Sequence, residues 1–256
     1  MEGVAEGPGL LSPAWTLAPG VGALSTTRHG PGVSRAPFDA LNLAGHVGDA
    51  QSAVQANRRW LTGQLAPGVT PVWLEQVHGT AVVDLDRLAD PCAATPVGDA
   101  AVTRRPGRAC ALLTADCLPI LLWNDHATVV GAAHAGWRGL AQGVIEATVR
   151  AMGVPGASLS AWLGPCISAK FFEVGPEVRE QLLRAQPSAS VALRPGRGDR
   201  CYADLPALAR LRLLGLGLAS RAIHVDGACT FADEGRFFSY RRDGQCGRMA
   251  SLIWLA

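Results

Sequence analysis

A chain of 256 residues, 48% of them hydrophobic, can bury a full core and falls within the range of one large α/β or α+β fold. Its formal net charge of +2 is too balanced to make nucleic acid or an anionic membrane the main partner. No apolar run is long enough for a membrane span; residues 109–123 come nearest, and Asp116 and Pro119 interrupt them.

Residues 1–8 are polar and Gly-rich, with no basic start followed by an apolar core, so residues 1–15 are expected to form a loosely ordered N-terminal segment without a leader. Residues 21–27 read as a strand, and a loop rich in Gly, Pro and Asn follows at 29–48. Asp49 is placed as the N-cap of a helix reaching about Leu65, with Val54, Leu61 and Leu65 on one face. Residues 72–77 and 80–85 alternate like strands, and His78-Gly79 reads as the turn between them.

The centre is the most apolar part. Residues 100–103, 109–114, 118–123 and 128–133 read as strands buried on both faces. A helix is expected from about Gly139 to Met152, with Leu140, Val144 and Thr148 on one stripe and Gly153 just past its end. Residues 159–163 form another expected strand. Residues 176–185 and 204–216 read as helices, with Pro176 and Pro206 suited to first turns. Residues 222–225, 237–241 and 249–255 close the chain as strands. Adjacent strands with separated helices favour α+β over regular βαβ alternation. With no internal repeat, linker or composition break, residues 1–256 read as one domain.

Seven scattered cysteines, an odd number without a CxxC pair, suggest reduced thiols and a cytoplasmic chain. His78, Cys117 and His134 each stand beside small or turn-forming residues at expected strand ends, where rigid scaffolds present reactive side chains. Two imidazoles and a thiolate suit Zn²⁺ and leave a fourth position for water or substrate. The plainer reading is a buried cysteine and two histidines satisfied by backbone bonds.

Gly136-Trp137-Arg138-Gly139 joins a buried strand to a helix start, where free N–H groups and a guanidinium would suit phosphate. On pattern alone an ordinary strand-to-helix turn, with Arg138 in a structural ion pair, is the reading favoured. Arg58, beside Asn57 on the first helix, is either solvated or a second anion ligand. Asp99 and Asp116 could orient a ligand imidazole, act as general base, or simply form turns, and Asn42 shares that ambiguity. Cys110, Cys166, Cys229 and Cys246 read as structural. So do His29, His46, His126 and His224, with His46 set apart by its place in the Gly-rich loop.

Several longer motifs resemble one family. They are Leu41-Asn42-Leu43, His46-Val47-Gly48-Asp49, Asn57-Arg58 and Trp73-Leu74-Glu75-Gln76-Val77-His78-Gly79. Thr114-Ala115-Asp116-Cys117-Leu118-Pro119 and Ala133-His134-Ala135-Gly136-Trp137-Arg138-Gly139 follow. Leu163-Gly164-Pro165-Cys166-Ile167 and Phe237-Phe238-Ser239-Tyr240-Arg241-Arg242-Asp243 complete the set. Together they resemble the YfiH-type family, also called laccase-domain or multicopper polyphenol oxidoreductase and, more recently, purine nucleoside phosphorylase. One stretch departs from the pattern: Arg28-His29-Gly30-Pro31-Gly32 replaces a plainer Arg-x-Gly-Gly.

The resemblance implies an α+β sandwich of mixed β-sheets flanked by helices, similar to the catalytic domain of cytotoxic necrotizing factor toxins. It implies zinc on His78, Cys117 and His134, with these also the catalytic residues. It implies phosphorolysis of adenosine, inosine, guanosine and methylthioadenosine, and deamination of adenosine. Phosphate and nucleoside are then expected on Arg58, Arg138, Asn42 and Asp116. The oxidase label sits poorly with six histidines and no His-x-His pair, although copper would bind the same three donors in vitro. A Cys–His hydrolase acting on an amide or a peptidoglycan precursor is the alternative, with Cys117 as nucleophile and His134 as base. Purine nucleosides and phosphate are the expected partners, and the sequence carries no signature of an oligomeric state.

Overall fold

The computed structural model describes residues 7–11, 17–90 and 95–256. The elements in chain order begin with β1 (Leu10–Leu11), β2 (Val21–Thr26), α1 (Gln51–Thr62), β3 (Thr70–Val72) and β4 (Val82–Asp84). The central set is β5 (Ala100–Thr103), β6 (Arg108–Thr114), β7 (Leu118–Asn124), β8 (Val130–Ala135), α2 (Trp137–Gln142), α3 (Val144–Met152) and β9 (Leu159–Leu163). Then come β10 (Glu173–Val174), α4 (Pro176–Ala185), β11 (Leu193–Pro195), β12 (Cys201–Ala203), α5 (Leu205–Gly215), β13 (Ile223–Val225), α6 (Tyr240–Asp243) and β14 (Met249–Leu255). This is a mixed α+β fold.

Two mixed sheets dominate. One has the order β1-β2-β14-β6-β3, antiparallel except for the parallel β3–β6 pair. The other has the order β13-β9-β7-β8-β5-β4, parallel only at its two edges. A small sheet, β10-β12-β11, stands apart from them.

Strand alternation sorts the buried side chains into three packing layers. On β6, Cys110 and Leu112 face the six-stranded sheet and meet Leu121, Trp123, Val130 and Trp162. Ala109, Ala111 and Leu113 face the other way, against Leu41, Leu43 and Leu61 of the α1 side. The far face of the six-stranded sheet, through Leu118, Ile120 and Leu122, packs on α2, α3, α4 and α5. Strands buried on both faces explain why the central segments read as continuous apolar runs.

Several expectations are corrected. Leu10–Leu11, within the expected loose N-terminal segment, form a strand on β2; residues 1–6 and 12–15 lie outside the described residues. Asp49 does not cap α1. Its carboxylate accepts from the Ser34 hydroxyl (2.6 Å) and the Asn42 amide (2.9 Å), tying the loop together, and Ala50 is the N-cap without a side-chain bond. The helix expected to start near Gly139 is two helices. It begins at Trp137, and Gly143 (φ 95°) breaks it in the left-handed conformation that favours glycine.

The expected hairpin around His78-Gly79 is also absent. β3 joins the five-stranded sheet and β4 the six-stranded one, so the segment between them crosses from one sheet to the other. Residues 237–241 are not a strand either. Phe237 and Phe238 are buried, and the Ser239 hydroxyl accepts the Arg242 N–H and starts α6.

Leu121 lies fully buried between the two sheets. Leu121→Ala should lower stability by about 2–5 kcal/mol. Urea unfolding should show a lower midpoint at unchanged slope.

Candidate active site

Two strand ends and a crossover bring the donors together. Cys117 stands immediately before β7 and His134 near the end of β8, where Pro119 and His134 are register partners. His78 comes from the crossover between β3 and β4. Its backbone is in the left-handed region (φ 60°), as is that of Asp116 (φ 91°). The donor atoms of His78, Cys117 and His134 all lie within 4.8 Å of one another.

A side-chain scaffold holds each donor. The Asp99 carboxylate, fully buried, accepts the N–H groups of Val77 (3.2 Å), His78 (2.9 Å) and Gly79 (2.6 Å). Its Oδ1 also lies 2.9 Å from His134 Nδ1, leaving Nε2 as the second nitrogen of that ring. Gln76 fixes the crossover from its other side: its amide donates to the Leu113 carbonyl (2.9 Å) and accepts the Leu113 N–H (2.7 Å). This carries the β3–β6 pairing on by a side chain after the backbone has left the sheet. Cys117 is fixed through Asp116, whose carboxylate accepts from the Thr230 hydroxyl (2.6 Å) and the Arg241 N–H (2.7 Å).

Burial alone would push the Cys117 thiol up. The His134 charge and hydrogen bonds from His134 and His78 outweigh it and hold the thiol below its usual range. Burial would push His134 down, but the Cys117 charge and the Asp99 carboxylate raise it. The two shifts run in the direction that favours a thiolate beside an imidazolium, with a carboxylate behind it. For Asp99 burial raises the carboxyl, yet the His134 hydrogen bond and the N–H groups of Gly79 and Val77 leave it below its usual range.

The donor set fits a metal such as zinc. Metal–ligand bonds of ~2.0–2.3 Å at tetrahedral angles put two donors of one ion ~3.3–3.8 Å apart, a separation that small side-chain movements would reach from donors within 4.8 Å of one another. A side chain at Gly136 would put its Cβ 3.0 Å from Cys117 Sγ and 3.2 Å from His78 Nδ1, so the glycine keeps that space clear. His134 is buried, Cys117 half-buried and His78 exposed, which leaves one side of the set open.

That side opens on a cleft of about 440 Å³. The three donors, Asp116 and Arg138 line it, together with Gln76, His46 and Trp137. Phe172, Tyr240, Arg241 and Arg248 form another part of the wall. The Arg138 guanidinium lies 4.5 Å from the Trp137 ring centroid, and Arg138 joins no ion pair among the described residues.

Arg58 and Asn42 are not among the lining residues. The Arg58 Nε donates to the Leu43 carbonyl (2.9 Å) and its guanidinium stacks on Trp73 at 4.3 Å. Asn42, fully buried, accepts the N–H groups of Ala44 and Arg248 and so supports the loop behind the wall. Asp99 takes the first of its expected roles, orienting the His134 imidazole, whereas Gln76, Arg241, Arg248 and Tyr240 were not singled out. Gln76, Tyr240 and Arg241 sat inside quoted motifs, and Arg248 lay outside all of them.

The fold and site define a mixed α+β protein with a His–Cys–His donor set at one side of an arginine-lined cleft. The chain belongs to the family described as multi-copper polyphenol oxidoreductase laccase, whose model matches residues 22–256. This is the YfiH-type family. Over 246 residues the chain is 50% identical to a protein named purine nucleoside phosphorylase from Pseudomonas aeruginosa, covering 96% of this chain and 98% of that one. It is 46% identical to the purine nucleoside phosphorylase YfiH of Escherichia coli K12, with the same shares covered. A solved structure from Neisseria meningitidis superposes with a TM-score of 0.91 at 44% identity, covering 96% of this chain and 99% of that one.

Asp99→Asn should weaken zinc binding about 10–100-fold, measured by competition with a chromophoric chelator, because the imidazole loses its orienting carboxylate. The folded Asp99 carboxyl titrates below its unfolded value of ~3.9. Its contribution to stability is therefore complete above that value and is lost as pH falls through the lower folded one. Acid unfolding of Asp99→Asn should lack this component; an unchanged acid limb would rule it out.

Proposed function

We propose that the protein is a zinc-dependent purine nucleoside phosphorylase acting on adenosine, inosine, guanosine and methylthioadenosine, with adenosine deaminase activity. The observation that carries this reading is that the donor set and the unpaired Arg138 line one cleft of nucleoside size. The names of the relatives from Pseudomonas aeruginosa and Escherichia coli agree with it.

Zinc on His78, Cys117 and His134 would supply Lewis-acid chemistry and lower the pKa of water. Arg138 binds orthophosphate, and Trp137 and Phe172 are aromatic residues of the cleft lining available for contact with the purine. In phosphorolysis a phosphate oxygen bonds to C1′ of the ribose as the C1′–N9 bond breaks. The bond pair leaves with the purine, which is then protonated. The anionic phosphate also stabilises positive charge developing at C1′. Deamination instead adds water at C6 of adenosine and releases ammonia, giving inosine. Asp99 keeps the His134 ring oriented in either case. Arg58 and Asn42 act from behind the wall, and Asp116 positions Cys117 and Arg241.

No described helix is long and apolar enough to cross a membrane, and the six described cysteines are free. A cytoplasmic setting suits reduced thiols and soluble substrates. Residues 1–256 are taken as one catalytic domain.

One observation favours a second reading. The Asp99–His134–Cys117 chain, with its lowered thiol, has the order of a Cys–His hydrolase. A likeness to the cytotoxic necrotizing factor domain would fit. Cys117 Sγ would then attack an amide carbonyl, such as one in a peptidoglycan precursor, and His134 would protonate the leaving amine. A copper-dependent polyphenol oxidase is disfavoured, since one three-donor cluster stands among the described residues and a multicopper oxidase needs several metal centres.

Purified protein incubated with adenosine should give adenine and ribose 1-phosphate only when phosphate is present, and inosine with or without it. Arg138→Gln should cut phosphate-dependent base release about ten- to a hundred-fold, the worth of one charge-assisted hydrogen bond, and deamination much less. Equal loss of both with zinc retained would remove Arg138 from the phosphate role.

Zinc should protect Cys117 from iodoacetamide, and chelation should expose it. Rapid alkylation with zinc still bound would favour the hydrolase.

A further inference from the structure

The segment closing the cleft contains arginines of two kinds. Arg236 pairs with Asp233 at 2.5 Å and Arg242 with Asp243 at 2.7 Å. Arg241 and Arg248, which line the cleft, take part in no ion pair among the described residues. Neutral groups hold both heads in place. Arg241 Nη1 donates to the Glu173 carbonyl (3.0 Å), and its guanidinium lies 5.3 Å from the Phe172 ring centroid. Arg248 Nη1 donates to the carbonyls of Cys246 (2.8 Å) and Gly247 (3.0 Å), and its guanidinium lies 5.8 Å from the Tyr240 ring centroid.

Two carboxylates adjoin Arg241 in the bonding network and both are engaged: Asp116 accepts the Thr230 hydroxyl and the Arg241 backbone N–H, and Glu173 accepts the Arg197 N–H. His46, on the same wall, brings no negative charge, and burial and the charges of Arg248 and Arg58 hold its imidazole below its usual range. Orthophosphate needs Arg138 in the reading above. Two guanidiniums without an ion pair among the described residues remain on the cleft lining, and guanidiniums recognise phosphate oxygens.

We propose that Arg241 and Arg248 form a second anion subsite for a phosphate carried by the nucleoside itself, making purine nucleoside 5′-monophosphates ligands of this cleft. The proposal rests on the reading of the cleft as a purine nucleoside site. A 5′-phosphate adds charge while leaving C1′ and both faces of the base free. Tyr240, 61% exposed beside Arg241, keeps this wall open to solvent and so accessible to a charged ester.

The test is calorimetric titration of the zinc-loaded full-length protein with inosine and with inosine 5′-monophosphate, in phosphate-free buffer. The monophosphate should bind ~10–100-fold more tightly, and this advantage should shrink as salt is added. Arg241→Gln and Arg248→Gln, checked for fold by circular dichroism and for zinc content, should each reduce the advantage about tenfold. Arg248→Lys keeps the charge and should retain part of it.

Equal affinities in the wild-type protein would overturn the subsite. So would an advantage lost in Arg138→Gln but kept in Arg241→Gln and Arg248→Gln, since the ester would then sit in the orthophosphate position. Phosphate-dependent cleavage of inosine, measured on the same preparation, separates the two readings. Cleavage without any preference for the monophosphate sinks the subsite alone. Preference without cleavage keeps the subsite and sinks the phosphorylase.

Discussion

One buried carboxylate organises the site. Asp99 gathers three consecutive backbone N–H groups and the Nδ1 side of His134, so it fixes the crossover and a strand residue at once. A carboxylate out of water is costly unless its oxygens are satisfied, and here they are. The arrangement also explains the left-handed His78. Three N–H groups can converge on one anion only if the chain curls around it, and that curl aims the imidazole at Cys117 and His134.

The cleft divides its tasks by wall. Donors and their supporting carboxylates come from the sheet ends, where both neighbours are rigid. The arginines come from α2 and from the C-terminal segment around α6, held by rings and carbonyls rather than by acids. Orientation is thereby supplied without neutralising the charge that an anionic ligand would meet. Asp116 links the walls, since one carboxylate sits beside Cys117 and accepts the Arg241 N–H.

Where hydrophobic pattern decides structure, the sequence was readable. The central strands and β14 are near their expected places because they are continuous apolar runs buried on both faces, and α4 and α5 because each carries Pro in its first turn. It was unreadable where side chains replace backbone partners. Gln76 and Asp99 take over hydrogen bonds that a hairpin would have made, and no local pattern announces a partner more than twenty positions away. Asp49 misled for the same reason: an acid before a helix is an N-cap by default, and only the distant Ser34 and Asn42 redirect it. The donor trio was visible as residue types at strand ends, but the arginine wall was not, because one short helix and a loop build it.

The donor geometry also bears on the order of assembly. Cys117 and His134 meet through the β7–β8 pair, whereas His78 reaches them only after β3 and β4 have joined different sheets. An ion therefore cannot gather these residues from a loose chain as it does in a zinc finger. The layered apolar core has to form first, and an ion would then meet a socket already shaped by Asp99, Gln76 and Gly136. Under the proposed metal-dependent reading, chelation should thus leave a folded protein, and metal supply would set activity without setting abundance.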